Sequence, residues 1–301
     1  MNLRDLRYLV AVAEYHHFGQ AADACFVSQP TLSMQIKKLE GELGVTLIER
    51  TNKQVMLTET GQEIVTKARH ILATVDEMHE LALQYKDPEA GSLRLGVIPT
   101  LAPYLLPRVM GPIQERFPKL KILLYELQTP VILERLPSGQ LDAALLALPV
   151  EHNALETIVL FEEPFYAAIN CKHPLARHKH LNLKDLAGNE ILLLEDGHCL
   201  RDQALDLCRR VGADEAEGFR ATSLETLRQM VFSGAGMTIV PELAIEQNHS
   251  TDRRIRYIPF NPPRPSRTIV IAIRRSSHRK QVAQDLANVI SNTIVSLGKT
   301  N

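Results

Sequence analysis

The chain is poor in cysteine, carries almost no excess charge and has no long apolar run. Each shortage removes a class of function. Its four cysteines, Cys25, Cys171, Cys199 and Cys208, are too few and too scattered for the disulfide scaffold of a small secreted domain. Formal net charge is −1, so no global electrostatic case exists for a nucleic-acid or membrane partner. No apolar run approaches the roughly 20 residues of a membrane span, and the N-terminus lacks a basic-then-apolar signal segment. The expectation is a cytoplasmic protein with no membrane partner, in which any disulfide is transient. The motifs GxGxxG, GxxxxGK(S/T), HExxH and GxSxG are missing, and no Cys/His cluster suggests structural zinc. Neither a cofactor nor a metal is therefore expected. What the chain does have is 301 residues at 45% hydrophobic content, enough for a sizeable core and more than one domain.

Chemistry concentrates in Asp196-Gly197-His198-Cys199-Leu200-Arg201-Asp202-Gln203 and the later Cys208. A helix from Leu200 to Val211 puts Leu200, Ala204, Leu207, Cys208 and Val211 on one apolar face. Cys208 then faces the core, and Cys199 sits at the helix start among polar neighbours. The two are nine residues apart, so at about 1.5 Å per residue their α-carbons lie roughly 13 Å apart. A disulfide needs them closer than about 7 Å. Bridging the pair therefore requires the helix to unfold locally, which would make a switch. A thiolate at a helix N-terminus, beside His198 and one turn from Arg201, has reason for a depressed pKa. Glu195, Asp196 and Asp202 oppose that. Against the reactive reading, a cysteine on an apolar face serves as a small hydrophobe. The residues alone leave both readings open.

The first sixty residues read as three helices and a small β wing. Leu3, Leu6, Val10 and Ala13 mark the inner face of the first helix, and 20–24 form a short second one. Ser28 is the N-cap of a third, with Pro30 in its first turn and Leu32, Ile36, Leu39 and Leu43 inward. Gln29, Pro30, Thr31, Ser33, Met34, Lys37 and Lys38 belong to its outer arc, where short polar groups suit base edges and lysines suit phosphates. Val45–Arg50 and Val55–Thr58 read as the wing, with Arg50 and Lys53 placed to reach the DNA backbone or minor groove. The competing reading is a plain three-helix packing unit. Charge does not decide, because residues 1–60 mix Arg4, Arg7, Lys37, Lys38, Arg50 and Lys53 with seven acidic side chains.

From Thr58 or Thr60 to about Tyr85 runs a long amphipathic helix whose stripe includes Val65, Ala68, Leu72, Val75 and Met78. Such a helix wants a partner. Residues 87–92 read as a hinge. Strand and helix patterns then alternate through Leu93–Ile98, Leu120–Leu127 and Leu141–Leu148. A second set follows with strand Ile191–Leu194, helix Leu224–Phe232 and strand Met237–Val240. Strand Thr268–Ile273 and a helix from Ser277 to Leu297 close an α/β part. Thr100 and Thr129 fall at strand-to-helix turns, either as crevice residues or as simple N-caps.

Ala21-Ala22, Ser28-Gln29-Pro30-Thr31-Leu32-Ser33, Gln35-Ile36, Leu39-Glu40 and Leu43-Gly44 resemble the winged helix-turn-helix of LysR-type transcriptional regulators. Residues 195–204 with Cys208, and Phe219 to Arg228 continuing through Gly234, Gly236, Thr238 and Pro241, resemble the peroxide-sensing members of that family. Ile98-Pro99-Thr100, 103–107 and Phe117-Pro118 extend the likeness over essentially the whole chain. The resemblance implies a winged helix-turn-helix domain (1–59), a linker and dimerisation helix (60–87) and a regulatory domain (88–301). The regulatory domain would comprise two Rossmann-like subdomains of periplasmic-binding-protein type, 88–163 plus 268–301 and 164–267. It further implies that Cys199 is the peroxidatic cysteine and Cys208 the resolving one, with Thr100, Thr129, His198 and Arg267 positioning peroxide. Implied partners are operator DNA, hydrogen peroxide, a dimer of dimers and RNA polymerase. Two alternatives stand beside this regulator. One is a LysR-type protein gated by a small organic co-inducer, its cysteines inert. The other is a thiol peroxidase or binding protein whose N-terminal helices only dimerise.

Overall fold

The computed structural model describes residues 1–50, 55–84, 89–246 and 254–298. They belong to two compact units, Met1–Pro88 with Ser138–Gln140 and Glu89–Pro137 with Leu141–Asn301.

In the first unit, α1 (Leu3–Tyr15) opens on a reciprocal cap between Asn2 and Asp5. α2 (Phe18–Ala24) and α3 (Gln29–Leu43) follow. The Ser28 hydroxyl accepts the Thr31 amide at 3.4 Å, Pro30 occupies the first turn, and Gly44, at φ +71°, ends α3 in the left-handed region. Leu32, Ile36 and Leu39 are buried inward as their spacing predicts. The inner face of α1 differs: Leu6, Leu9, Val12 and Ala13 are buried, whereas Leu3 is 41% exposed. Two apolar stripes overlap on that helix, and packing against α2, α3 and the later helix 59–84 chooses between them. β1 (Ile48–Arg50) and β2 (Val55–Leu57) pair antiparallel, Ile48 opposite Leu57. The wing starts later than expected because the Glu40 carboxylate takes the Leu47 and Ile48 amides at 2.9 and 3.2 Å. Thr58 accepts the Gly61 amide at 2.9 Å at the start of α4 (Glu59–Gln84). A Cβ on Gly61 would lie 2.1 Å from the Leu47 carbonyl oxygen, so the close crossing requires glycine. Val65, Ala68 and Ala73 of α4 are buried, while Ile71 and Met78 are exposed. Its expected end at Tyr85 and the first hinge residues lie outside the described residues.

The second unit begins at β3 (Gly91–Val97), two residues earlier than the sequence pattern indicates. It continues with α5 (Ala102–Arg116), β4 (Leu120–Glu126), α6 (Thr129–Arg135), β5 (Ala143–Ala147) and β6 (Leu155–Asn170). Then come β7 (Glu190–Leu194), α7 (Cys199–Val211), β8 (Asp214–Ala221), α8 (Leu224–Ser233), β9 (Thr238–Pro241) and α9 (Leu243–Glu246). β10 (Ile255–Pro259), β11 (Ser266–Arg274) and α10 (Lys280–Gly298) complete the chain. One sheet runs β10-β6-β11-β5-β3-β4, with β9 also on β6, and a separate pair joins β7 and β8. β3 is parallel to both β4 and β5, as strand–helix–strand connections dictate. β6 is the element that the sequence pattern concealed. Its 16 residues pair with β11 over 155–164 and with β9 and β10 beyond, so one strand ties the two halves of this α/β unit together. Buried strand residues such as Leu95, Leu145 and Ile271 form one continuous core with α5, α7, α8 and α10.

Candidate redox-active site

α7 follows β7 through a turn in which Gly197 takes φ +94°. Its Leu200, Ala204, Leu207 and Cys208 are buried, and Gly212 at φ +68° caps it by donating to the Cys208 carbonyl. Cys199 is the first residue of the helix, half-buried, and Cys208 lies nine residues on at 2% exposure. Both are free thiols. The apolar face thus places one sulfur in the core and leaves the other at the helix start.

The electrostatics of Cys199 differ from the local-charge expectation. Arg201 does not serve the thiol: it donates to Asp196 at 2.9 Å, to the Leu194 carbonyl at 3.2 Å and to Glu215 at 2.7 Å. Its charge is neutralised within the α7–β7–β8 seam. His198 is buried against the Gln128 amide at 3.2 Å. Burial lowers its pKa below the usual 6.5, against the Glu195 charge and the Thr222 backbone, so at pH 7 it lends no positive charge. The cation that acts on Cys199 is Arg267, from β11. Burial nevertheless dominates and pushes the Cys199 thiol up, with Arg267, the Thr129 hydroxyl and the Leu200 backbone amide favouring the thiolate, and Asp202 opposing it.

Arg267 is itself held by a fully buried set. Its guanidinium donates to Glu163 at 2.8 Å, to the Thr100 hydroxyl at 3.0 Å and to the Thr100 carbonyl at 3.1 Å. Glu163, on β6, also accepts the Leu243 amide at 3.0 Å. Neither threonine is an N-cap: Leu101 precedes α5 and Gln128 precedes α6. Thr129 Oγ1 is buried without a hydrogen bond of ordinary geometry, yet its hydroxyl favours the Cys199 thiolate. Thr100, Arg267, Thr129 and Cys199 therefore form one electrostatic group. His198 and Thr100 line a 490 Å³ cavity together with Gln128 and Glu225. Cys199 and Thr129 line a separate cavity of 610 Å³, with Gln203 and Pro149.

Glu163, Gln128 and Glu215 were not among the sequence candidates, because their partners are distant in the chain. Gln203 was within reach, lying four residues after Cys199, one turn along the same helix.

On α3, Gln29, Pro30, Met34, Lys37 and Lys38 are exposed, and Thr31 and Ser33 are half-buried. Thr31 Oγ1 is 2.8 Å from Ser28 Oγ. Arg50 contributes its backbone to β1; its side chain and all of Lys53 lie outside the described residues.

Residues 3–62 match the family model for the bacterial regulatory helix-turn-helix protein of the lysR family, and residues 86–294 match the LysR substrate binding domain. The chain is 48% identical to the DNA-binding transcriptional dual regulator OxyR of Escherichia coli strain K12, over 96% of this chain and 95% of that one. The chain belongs to the OxyR group of the LysR family. Two solved structures accompany that assignment. Full-length OxyR from Pseudomonas aeruginosa, with a cysteine-to-aspartate substitution, is 38% identical at TM-score 0.78, covering 96% of this chain and 94% of that one. A cysteine-to-serine OxyR from Corynebacterium glutamicum, with hydrogen peroxide bound, is 35% identical at TM-score 0.68, covering 98% and 93%. This LysR-family chain is accordingly a DNA-binding transcriptional regulator and not an enzyme, which removes the thiol-peroxidase reading. Among the described residues no helix is long and apolar enough to cross a membrane.

Proposed function

We propose that this regulator senses hydrogen peroxide by reversible formation of a Cys199–Cys208 disulfide and thereby controls oxidative-stress genes. The observation that carries the reading is the placement of two free thiols on α7, Cys199 on a cavity wall and Cys208 in the core. The Cys199 thiolate attacks one peroxide oxygen, the O–O bond breaks, and the departing hydroxide takes a proton to become water. The resulting sulfenic acid condenses with the Cys208 thiol, forming the S–S bond and releasing a second water. Arg267 supports the thiolate and the departing negative charge, Thr129 and Thr100 orient the peroxide oxygens, and neutral His198 completes the polar surround. Because the helix separates the sulfurs, forming the bond dismantles residues 199–208 and changes subunit contacts.

The domain limits that accompany this reading are 1–59, 60–87 and 88–301, with subdomains 88–163 plus 268–301 and 164–267. Gln29, Pro30, Thr31, Ser33, Met34, Lys37, Lys38, Arg50 and Lys53 contact the operator. α4 pairs two copies, a dimer of dimers spans the site on DNA, RNA polymerase is the downstream partner, and the protein works in the cytoplasm. One titration tests the sensor: one equivalent of peroxide removes two thiols from the wild type. Cys199→Ser keeps DNA binding but loses the peroxide response, and a fully responsive Cys199→Ser protein refutes the assignment.

A further inference from the structure

The cavity on which Cys199 lies is far larger than its proposed oxidant. It measures 610 Å³, whereas a molecule the size of water takes about 30 Å³ of liquid and organic-ligand pockets run about 300–1,000 Å³. Leu133, Pro130 and Pro149 supply apolar walls. Two buried polar atoms of residues on the same walls have no hydrogen-bond partner of ordinary geometry: Thr129 Oγ1 and Gln203 Oε1. Gln203 is anchored through its amide nitrogen, which donates to the Leu148 carbonyl at 3.0 Å, leaving its oxygen to accept from a ligand. The charged side chains on the lining are Asp202 and Asp206, which disfavours an anion.

We propose that this cavity admits neutral organic hydroperoxides, alkyl or aryl, as a second class of oxidant for Cys199. The inference rests on the redox role of Cys199 proposed above and extends it to a larger substrate. The match is chemical. A hydroperoxide has one O–H to donate to Gln203 Oε1, an oxygen to accept from Thr129, and a carbon group for the proline and leucine walls. The Cys199 thiolate attacks the terminal oxygen and the O–O bond breaks. The alkoxide leaves with the electron pair and takes a proton from water to become the alcohol, and Cys199 is left as the sulfenic acid. Condensation with Cys208 then releases water, as it does after hydrogen peroxide.

The test is stopped-flow oxidation of the reduced, full-length protein with hydrogen peroxide and, separately, cumene hydroperoxide. Leu133→Trp fills the cavity, and Pro130→Trp narrows its mouth from an exposed position in the first turn of α6. Thermal melts show which variants are folded, and Pro130→Trp serves if Leu133→Trp is not. The expected result is wild-type oxidation by cumene hydroperoxide within about tenfold of the hydrogen peroxide rate. The substituted proteins slow the organic reaction at least tenfold, with the hydrogen peroxide rate changed by less than about twofold. A wild type that reacts with hydrogen peroxide but not cumene hydroperoxide overturns this inference alone, as does a variant that slows both oxidants equally. A wild type that reacts only with cumene hydroperoxide, sensitive to filling, supports it while sinking the hydrogen peroxide reading. Reaction with neither oxidant sinks both.

Discussion

Cys208 has a titration that its position in the core imposes. Burial raises its thiol pKa from 9.0 to about 11, and the Glu215 charge adds to the rise. The folded protein thus prefers the neutral thiol more strongly than the unfolded chain does. That preference is a stabilisation fully present below pH about 9 and lost as pH rises toward 11. Two units correspond to about 2–3 kcal/mol. Denaturant melts of the reduced protein between pH 8 and 11 should show this loss in the wild type and its disappearance in Cys208→Ala. An equal alkaline loss in both proteins contradicts the assignment. At this same scale the limits of reading residues from sequence are plain. The cysteine pair stood out by its spacing, Thr100 and Thr129 by their strand-to-helix turns, and Arg267 only through the family resemblance. The identity of the cation acting on Cys199 was not, because Arg201 is its neighbour in the chain and Arg267 is 68 positions away. Nor was the direction of the Cys199 shift, since burial outweighs the helix N-terminus and nearby charge. Glu163 was invisible for the same reason: its value lies in meeting Arg267 across two strands.

At the scale of the element, α7 is clamped in the reduced state by more than its apolar face. The Arg201 side chain is 7% exposed and ties the helix to Asp196, Glu215 and the Leu194 carbonyl. Opening 199–208 breaks those ties. Arg201→Met therefore weakens the reduced form relative to the disulfide form. Equilibration against glutathione buffers should show a more negative reduction potential, by about 30 mV for each 1.4 kcal/mol of lost stabilisation. An unchanged or more positive potential means that the clamp survives in the oxidised form. α7 was legible as an element, its observed start lying one residue before the expected Leu200, because an amphipathic stripe, Gly197 and Gly212 mark it. β6 was not, because its 16 residues alternate imperfectly and change partners midway.

For the whole chain, the N-terminal helix-turn-helix and the C-terminal α/β regulatory part were readable in the sequence because each has its own periodicity and punctuation. The wing-tip Lys53 and the expected helix end at Tyr85 lie outside the described residues. The account of the complete regulator stands on one mechanical claim, that the Cys199–Cys208 bond cannot form while α7 remains a helix. Amide hydrogen exchange over residues 199–211, measured on reduced and peroxide-treated full-length protein, tests it directly. The predicted result is loss of protection through 199–208 in step with the disappearance of two thiols. A disulfide formed with the amides of α7 still protected would contradict it.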